Sequence, residues 1–270
     1  SETLSYPGLG ELWLATETPR EESVRLEGIT DPDQALAELV YRGRATPVAS
    51  HVSPANRRWH DPRIAPEETS LERARELLLS AGFSWRDDGR LLDGAGDPVN
   101  LTLVTNSSNS RRVETATVIQ EDLRRLGVEL RAVPLDFGAL LDRVYETFDY
   151  EMGLLGLGRG GLDPNSALNV WLSTGDSHLW RLSQGEGPTA FERRLDALLL
   201  EQMVEIDPAR REEQVDEIQR LVSEEMPFVF LVAPNVLVGA RRELGNFYPV
   251  AATGGALWNA DRLYWRRPGA

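Results

Sequence analysis

The sequence predicts an α/β fold with a mainly parallel central sheet flanked by helices. Between residues 99 and 155, alternating apolar runs and amphipathic stretches succeed one another as strand, helix, strand, helix, strand. Short connections in that order imply right-handed crossovers and parallel pairing. The second observation is bulk: 270 residues, 41% hydrophobic and 27% charged, describe a globular chain long enough for a substantial core.

Taken in order, Glu11 to Thr16 reads as a short strand stopped by Pro19. Asp31-Pro32 opens a helix running to about Tyr41, with Leu36, Leu39 and Val40 at helical spacing and Gly43 ending it. Between Arg44 and Pro66 lie Pro47, Pro54, Pro62 and Pro66 and little periodicity; a loop this long is expected to be functional or laid over a surface. The capping box Thr69-Ser-Leu-Glu72 starts a helix ending at Ala81-Gly82, and Phe83 to Leu92 turns at Asp88-Gly89 as a hairpin or an open loop. The regular region then reads as strand Val99 to Thr105, helix Val113 to Leu126, strand Val128 to Pro134, helix Phe137 to Tyr145 and strand Tyr150 to Leu155. Two long helices, about Ala190 to Val204 and Pro208 to Glu225, are divided by Asp207-Pro208, a cap followed by a first-turn proline. Their leucine, isoleucine and valine positions face a core, and Arg210-Arg-Glu-Glu213 is a solvated face. After the break at Met226-Pro227, Phe228 to Val232 reads as a buried strand and Val236 to Gly239 as another; Ala256 to Asn259 with Leu263 to Trp265 closes the chain.

The stretch from Phe148 to Thr174 carries the functional signal. A strand empties into glycines (Gly156, Gly158, Gly160, Gly161), and Asp163-Pro164-Asn165-Ser166 then opens a helix bearing Asn169 and Trp171. Glycine backbone lets a ligand approach closely, and such polar and aromatic groups line pockets. Ligand loops of parallel sheets sit at the carboxyl ends of strands, so Asn106-Ser107-Ser108-Asn109 is expected on the same edge. The candidate ligand contacts are Asn106 and Ser107 as hydrogen-bond groups, Arg159 for charge, Asp163 and Asn165 as polar groups or a plain cap, and Asn169 and Trp171 for polar and stacking contact. Trp171 reads equally well as core. Gly156, Gly158 and Gly161 formally satisfy a dinucleotide fingerprint, although Leu162-Asp163-Pro164 interrupts the helix that motif needs.

Composition weighs against several classes. The net charge is −14, from 43 acidic and 29 basic residues, and no basic residue is lysine, a balance opposed to nucleic acid and anionic membrane surfaces. There is no cysteine, hence no disulfide or thiol nucleophile. No run approaches the ~18 apolar residues of a membrane span, and the first residues do not read as a signal peptide. His51, His60 and His178 stand at no metal-binding spacing and are expected at surface or rim; no metal and no cofactor is expected. The enzymatic alternative is a carboxylate-dependent hydrolase or transferase using Asp163 with Asp149 in the glycine-rich cleft.

An ordered series of segments resembles the second half of the family 5 extracellular solute-binding proteins, the dipeptide and oligopeptide receptors of ABC importers. It comprises Tyr6 to Ala15, Tyr41 to Pro47 with Pro54 and Trp59 to Pro62, Ala74 to Phe83, Leu101 to Asn106, Ile119 to Gly127, Pro134 to Phe137, Asp163-Pro164, Met226 to Leu231 and Leu257 to Asn259. The resemblance implies the C-terminal lobe of a two-lobed, type II periplasmic-binding-protein-like fold that closes over ligand by a hinge. Residues 1–270 would form that lobe, with 1–18 and 227–270 near the hinge or the other lobe and 19–226 as the α/β body. A signal or lipoprotein segment and the N-terminal lobe would lie outside this piece. It further implies a peptide or small-molecule ligand, ABC permease subunits as partners of the full-length protein, a monomer, and a periplasmic or extracellular place, lipid-anchored through the missing segment. Peptide-binding members carry a tryptophan and an aspartate shortly before the Asp-Pro pair, the aspartate holding the peptide's amino terminus. Here Leu157 and Gly160 stand there with Arg159 between them, which favours an acidic group on the ligand.

Overall fold

The computed structural model describes residues 4–7, 36–65, 70–156, 161–180, 187–250 and 255–266. In chain order these hold β1 (Leu4–Pro7), a π-helical turn (Leu36–Val40), β2 (Ala45–Pro47), α1 (Leu71–Ser80), β3 (Ser84–Trp85), β4 (Leu91–Leu92), β5 (Asn100–Asn106), α2 (Ser110–Arg125), β6 (Glu129–Leu135) and α3 (Phe137–Leu141). Beyond these come a second π-helical turn (Asp142–Thr147), β7 (Met152–Leu154), a 3-10 turn (Pro164–Ala167) running into α4 (Leu168–Trp171), α5 (Ala190–Val204), α6 (Pro208–Glu225), β8 (Val232–Val238), β9 (Leu244–Gly245) and β10 (Tyr264–Trp265). The chain divides into two compact units. One comprises Ser1–Leu12, Arg44–Pro66 and Leu157–Ala270, the other Trp13–Gly43 and Glu67–Gly156.

The second unit contains the parallel sheet that the sequence predicts, in the order β6-β5-β7. Asn100 to Asn106 pair with Glu129 to Leu135, and Leu103 to Thr105 pair with Met152 to Leu154, both in parallel. Central β5 is buried at Leu103, Val104 and Thr105, a continuous run rather than an alternation, as expected of a parallel strand covered on both faces. Leu103, Leu130 and Leu154 meet Ala116 of α2 in one apolar cluster. Helix α2 begins at Ser110, ahead of the apolar periodicity, because the Asn109 side chain accepts from the Arg112 amide as its cap. Helix α1 is capped by Ser70, whereas Thr69 of the expected capping box lies outside the described residues. Gly127 follows α2 at φ 86°, and a Cβ there would stand 2.2 Å from the Gly89 carbonyl oxygen. Only glycine lets the β3–β4 hairpin approach so closely. The strand expected over Glu11 to Thr16 and the cap at Asp31-Pro32 also lie outside the described residues.

In the first unit, α5 and α6 supply Leu195, Leu198, Leu199, Ile218 and Val222 to a core shared with Trp171, Phe230 and Ala233. Thr189 and Glu192 form a reciprocal capping box on α5, and Asp207 caps α6 ahead of Pro208. The two strands expected over Phe228 to Val232 and Val236 to Gly239 are replaced by one, β8. It pairs with β2 at Val232 to Pro234 and with β1 at Asn235 to Val238, so at each point it has one neighbour. Pro234 sits where the partners change, which is how a proline is accommodated. Near the end of the chain, Tyr264 and Trp265 pair with Gly245 and Leu244, and residues 255–257 form a 3-10 turn.

The long segment formed by residues 44–65 is laid over α6 by polar contacts. Gln219 is 0% exposed; its side-chain amide donates to the Trp59 carbonyl at 2.7 Å and accepts from the Ser50 hydroxyl at 3.1 Å and the Asp61 amide at 3.2 Å. Beside it the buried Asp61 carboxylate takes Arg63 Nε at 2.7 Å and Nη2 at 2.8 Å, and Arg63 reaches Asp216 at 2.7 Å.

Candidate functional site

The site residues expected from the sequence fall into two groups, one in each unit. The first lies on the carboxyl edge of the parallel sheet, where β5, β6 and β7 end at Asn106, Leu135 and Leu154. That edge is tied together. The buried Thr105 hydroxyl donates to the Leu154 carbonyl at 2.9 Å, and the Ser107 amide donates to the Leu135 carbonyl at 2.7 Å. Asn106 Oδ1 accepts from the Ser108 amide and hydroxyl, both at 3.0 Å, folding the loop into an Asx turn that delivers Asn109 to its capping position. The Ser107 side chain is exposed and its hydroxyl has no partner among the described residues.

A residue that sequence reasoning missed belongs to the same edge. Asp136 caps α3 by accepting from the Gly138 amide, which places Phe137 on the first helical position after β6 with half its surface (51%) in solvent. An exposed phenylalanine beside polar loop groups is the mixture that small-molecule sites use. The signal available in the sequence was its position alone: first helical residue after a strand end in a parallel sheet.

The second group is the lip after the glycines. Arg159, with Gly158 and Gly160, lies outside the described residues. Asp163 accepts from the Asn165 amide at 3.0 Å as the cap of its turn, and its carboxylate is gripped by Arg211 at 2.9 and 2.7 Å. The Arg211 guanidinium holds the Asp163 carboxyl below the ordinary carboxylate range, its desolvation acting the other way and the Asn165 amide assisting. Asn165 Oδ1 accepts from Gln202 of α5. Asn169 folds the following loop back on itself: Oδ1 takes the Asp176 amide at 2.8 Å and Nδ2 reaches Ser177 Oγ at 3.3 Å. Gly175 packs so tightly there that a Cβ would stand 2.1 Å from the Asn169 carbonyl oxygen. Trp171 is 3% exposed and sits among His51, Trp180, Phe228 and Phe230 at ring separations of 4.6 to 6.5 Å, the core reading of that residue.

Two of the three histidines depart from the surface or rim position expected of them. His51 and His178 are buried. The His51 ring packs 4.6 Å from that of Trp171, and His178 Nε2 stands 3.0 Å from Glu192 Oε1, the carboxylate that caps α5. Among the described residues no group of His, Cys, Asp or Glu could hold a metal ion, and no helix is long and apolar enough to cross a membrane. Both Asp163 carboxylate oxygens are engaged by Arg211, which gives the enzymatic alternative no support. Asp149, in the other unit, faces Arg143 at 3.4 Å.

Residues 32–178 match the family model described as "Bacterial extracellular solute-binding proteins, family 5 Middle". Among similar proteins are a probable ABC transporter-binding protein of Deinococcus radiodurans, 28% identical over 214 residues (75% of this chain, 36% of that protein), and the glutathione-binding protein GsiB of Salmonella typhimurium, 25% identical over 240 residues (84% and 42%). Similar in fold are the oligopeptide-binding protein AppA of Bacillus subtilis, solved with a nonapeptide, TM-score 0.74 at 18% identity over 98% of this chain and 52% of that one, and NikA of Brucella suis, solved with Fe(III)-EDTA, TM-score 0.73 at 15% identity over 98% and 53%. The chain thus spans between about a third and about half the length of these relatives.

Proposed function

Because the chain belongs to the bacterial extracellular solute-binding proteins, family 5, we propose that it is the ligand-binding lobe of a receptor that captures a peptide-like or other small solute and hands it to an ABC importer. Its fold is that of the type II periplasmic binding proteins, and the family and the relatives it matches are binding proteins rather than enzymes. Members bind peptides or small ligands, work with ABC transporters and lie in the periplasm or outside the cell. For this protein we place the full-length receptor there as a monomer, lipid-anchored through a segment outside this chain and engaging its permease subunits. Residues 1–18 and 227–270 lie toward the hinge and the other lobe in this reading, with 19–226 as the α/β body. Tyr248 and Trp258, 64% and 50% exposed and joined by a hydrogen bond from the Trp258 indole to the Tyr248 carbonyl, support it, since large aromatic side chains grouped in water mark a surface that something covers.

The single observation that carries the binding role is the sheet edge. Parallel strands bring the exposed Ser107 and Phe137 to one carboxyl edge, where open parallel sheets bind ligands. There Ser107 and the side-chain N–H groups of Asn106 supply hydrogen bonds, and Phe137 an apolar face. In the other unit Arg159 supplies a counter-charge for an acidic group. Asp163, Asn165, Asn169 and Trp171 contribute by shaping the lip, as their side chains are bonded or packed within their own unit.

The test is a thermal-shift screen of the full-length protein against dipeptides to nonapeptides, glutathione and metal chelates. At least one class is expected to raise the melting temperature in a concentration-dependent way, with the gain reduced in Phe137→Ala. A flat response to every class would contradict the receptor reading.

A further inference from the structure

We propose that Arg211 of α6 is the positioning residue of the lip, setting the place of residues 162–165 from which the rest of the ligand-facing segment is built. This rests on the receptor reading given above. The guanidinium makes contacts of three kinds. Nη1 and Nη2 hold both oxygens of Asp163 at 2.9 and 2.7 Å. Nε and Nη2 donate to Gln202 Oε1 at 3.1 Å, and Nε also to the Gln202 carbonyl at 3.1 Å. The guanidinium carbon lies 4.9 Å from the centre of the Trp59 ring. Gln202 is itself fully buried and passes its amide on to Asn165 Oδ1 and to the Leu199 carbonyl. Asn56 Nδ2 donates to the Leu162 carbonyl at 2.8 Å. Three elements, the segment over α6, α5 and α6 itself, therefore converge on Leu162, Asp163 and Asn165.

Arg211 is the residue that links Asp163, Gln202 and Trp59. A guanidinium offers donors in a fixed fork that fits a carboxylate at two points while its face stacks on an aromatic ring; an ammonium is a point donor and reproduces neither feature. Only about a fifth of the Arg211 side chain is in solvent, so the fork is held by packing as well as by charge. Asp163 is thereby committed to the protein rather than offered to a ligand. The lip presents the Asp163 carboxylate already neutralised, so loss of Arg211 would both loosen residues 162–165 and expose an unpaired anion at the ligand-facing segment.

The experiment uses full-length protein purified from its own host as wild type, Arg211→Lys and Arg211→Met, and Arg58→Gln as a control that also stacks on Trp59. Amide exchange over residues 163–172 and retention of the co-purified small molecule are followed together. The expected result is exchange faster by about tenfold or more in both Arg211 variants, from loss of charge-assisted bonds. Amides of Leu195 to Leu199 should remain protected, and retained ligand should fall at least about tenfold, the counterpart of that same loss. Arg58→Gln should resemble wild type. Should Arg211→Met fail to fold, Arg211→Lys carries the same comparison. Unchanged lip exchange in Arg211→Lys overturns the proposal, and so does a loosened lip that retains its ligand in full. If the wild type carries no ligand and takes up none from a host extract, the receptor reading is what fails, while the exchange data still decide whether Arg211 sets the lip.

Discussion

Replacing Gln219 by leucine is expected to loosen the whole segment that crosses α6. The change roughly keeps volume and removes every polar atom of a fully buried side chain. It leaves the Ser50 hydroxyl, the Asp61 amide and the Trp59 carbonyl without the partner each has now. A buried polar group left unsatisfied costs about 1–3 kcal/mol; with some relaxation of an otherwise irregular segment, the sum is about 3–5 kcal/mol. At a urea dependence near the upper end for single domains, about 3 kcal/mol/M, the unfolding midpoint falls by about 1–1.7 M. Tryptophan fluorescence reads the transition, since Trp59, Trp171 and Trp180 all lie in the affected unit. Glu213→Ala, on the exposed face of the same helix, is the control and is expected within about 0.5 kcal/mol of the parent. A Gln219→Leu midpoint equal to that of the control would refute the view that this side chain holds residues 44–65 in place.

Trp171→Ala is expected to destabilise its unit by about 3–5 kcal/mol, measured by urea unfolding, because it empties the centre of an aromatic cluster. Gly127→Ala should lower stability by more than about 2 kcal/mol, its Cβ meeting the Gly89 carbonyl at 2.2 Å on a positive-φ backbone; differential scanning calorimetry checks this. Acid dependence follows from Asp61 and Asp163, whose carboxyls Arg63 and Arg211 hold below the ordinary value. A carboxyl depressed in the folded chain stabilises above its unfolded pKa, about 4, and loses that stabilisation as pH falls through the folded value. Burial pushes Asp216 the other way, so its contribution is present below about 4 and fades as pH rises through its raised value. Asp163→Asn should therefore flatten the fall in urea midpoint below about pH 4, and Asp216→Asn should remove a gain in midpoint that the parent makes as pH falls toward about 4.

The sequence made the elements legible wherever a cap and a period agree. Asp207-Pro208 announces α6 because a cap and a first-turn proline are local signals. The parallel sheet followed from element order and short connections, which need no knowledge of partners. What escaped were facts decided by pairing. β8 runs through Pro234 because its neighbours change there, and no local property of proline foretells that. Gln219 reads as one more polar residue on a helix until the segment it holds is seen to come from 160 residues away.

The site divides in the same way. Asn106 and Ser107 were accessible through the rule that ligand loops follow parallel strands. Phe137 was hidden by its likeness to the apolar residue that begins any amphipathic helix. Asp163 looked available as a cap and a ligand group alike, and its commitment to Arg211, 48 residues on, is a tertiary fact. His178 gave no sign that Glu192, 14 residues away, would meet it inside the core.

The most direct test of the receptor reading is native mass spectrometry of the intact parent protein, gently purified from its own host and compared with Phe137→Ala. A small-molecule mass that is released on denaturation, and depleted in the variant, is the result this account predicts. A parent that carries no small molecule and takes up none from a host extract would contradict it.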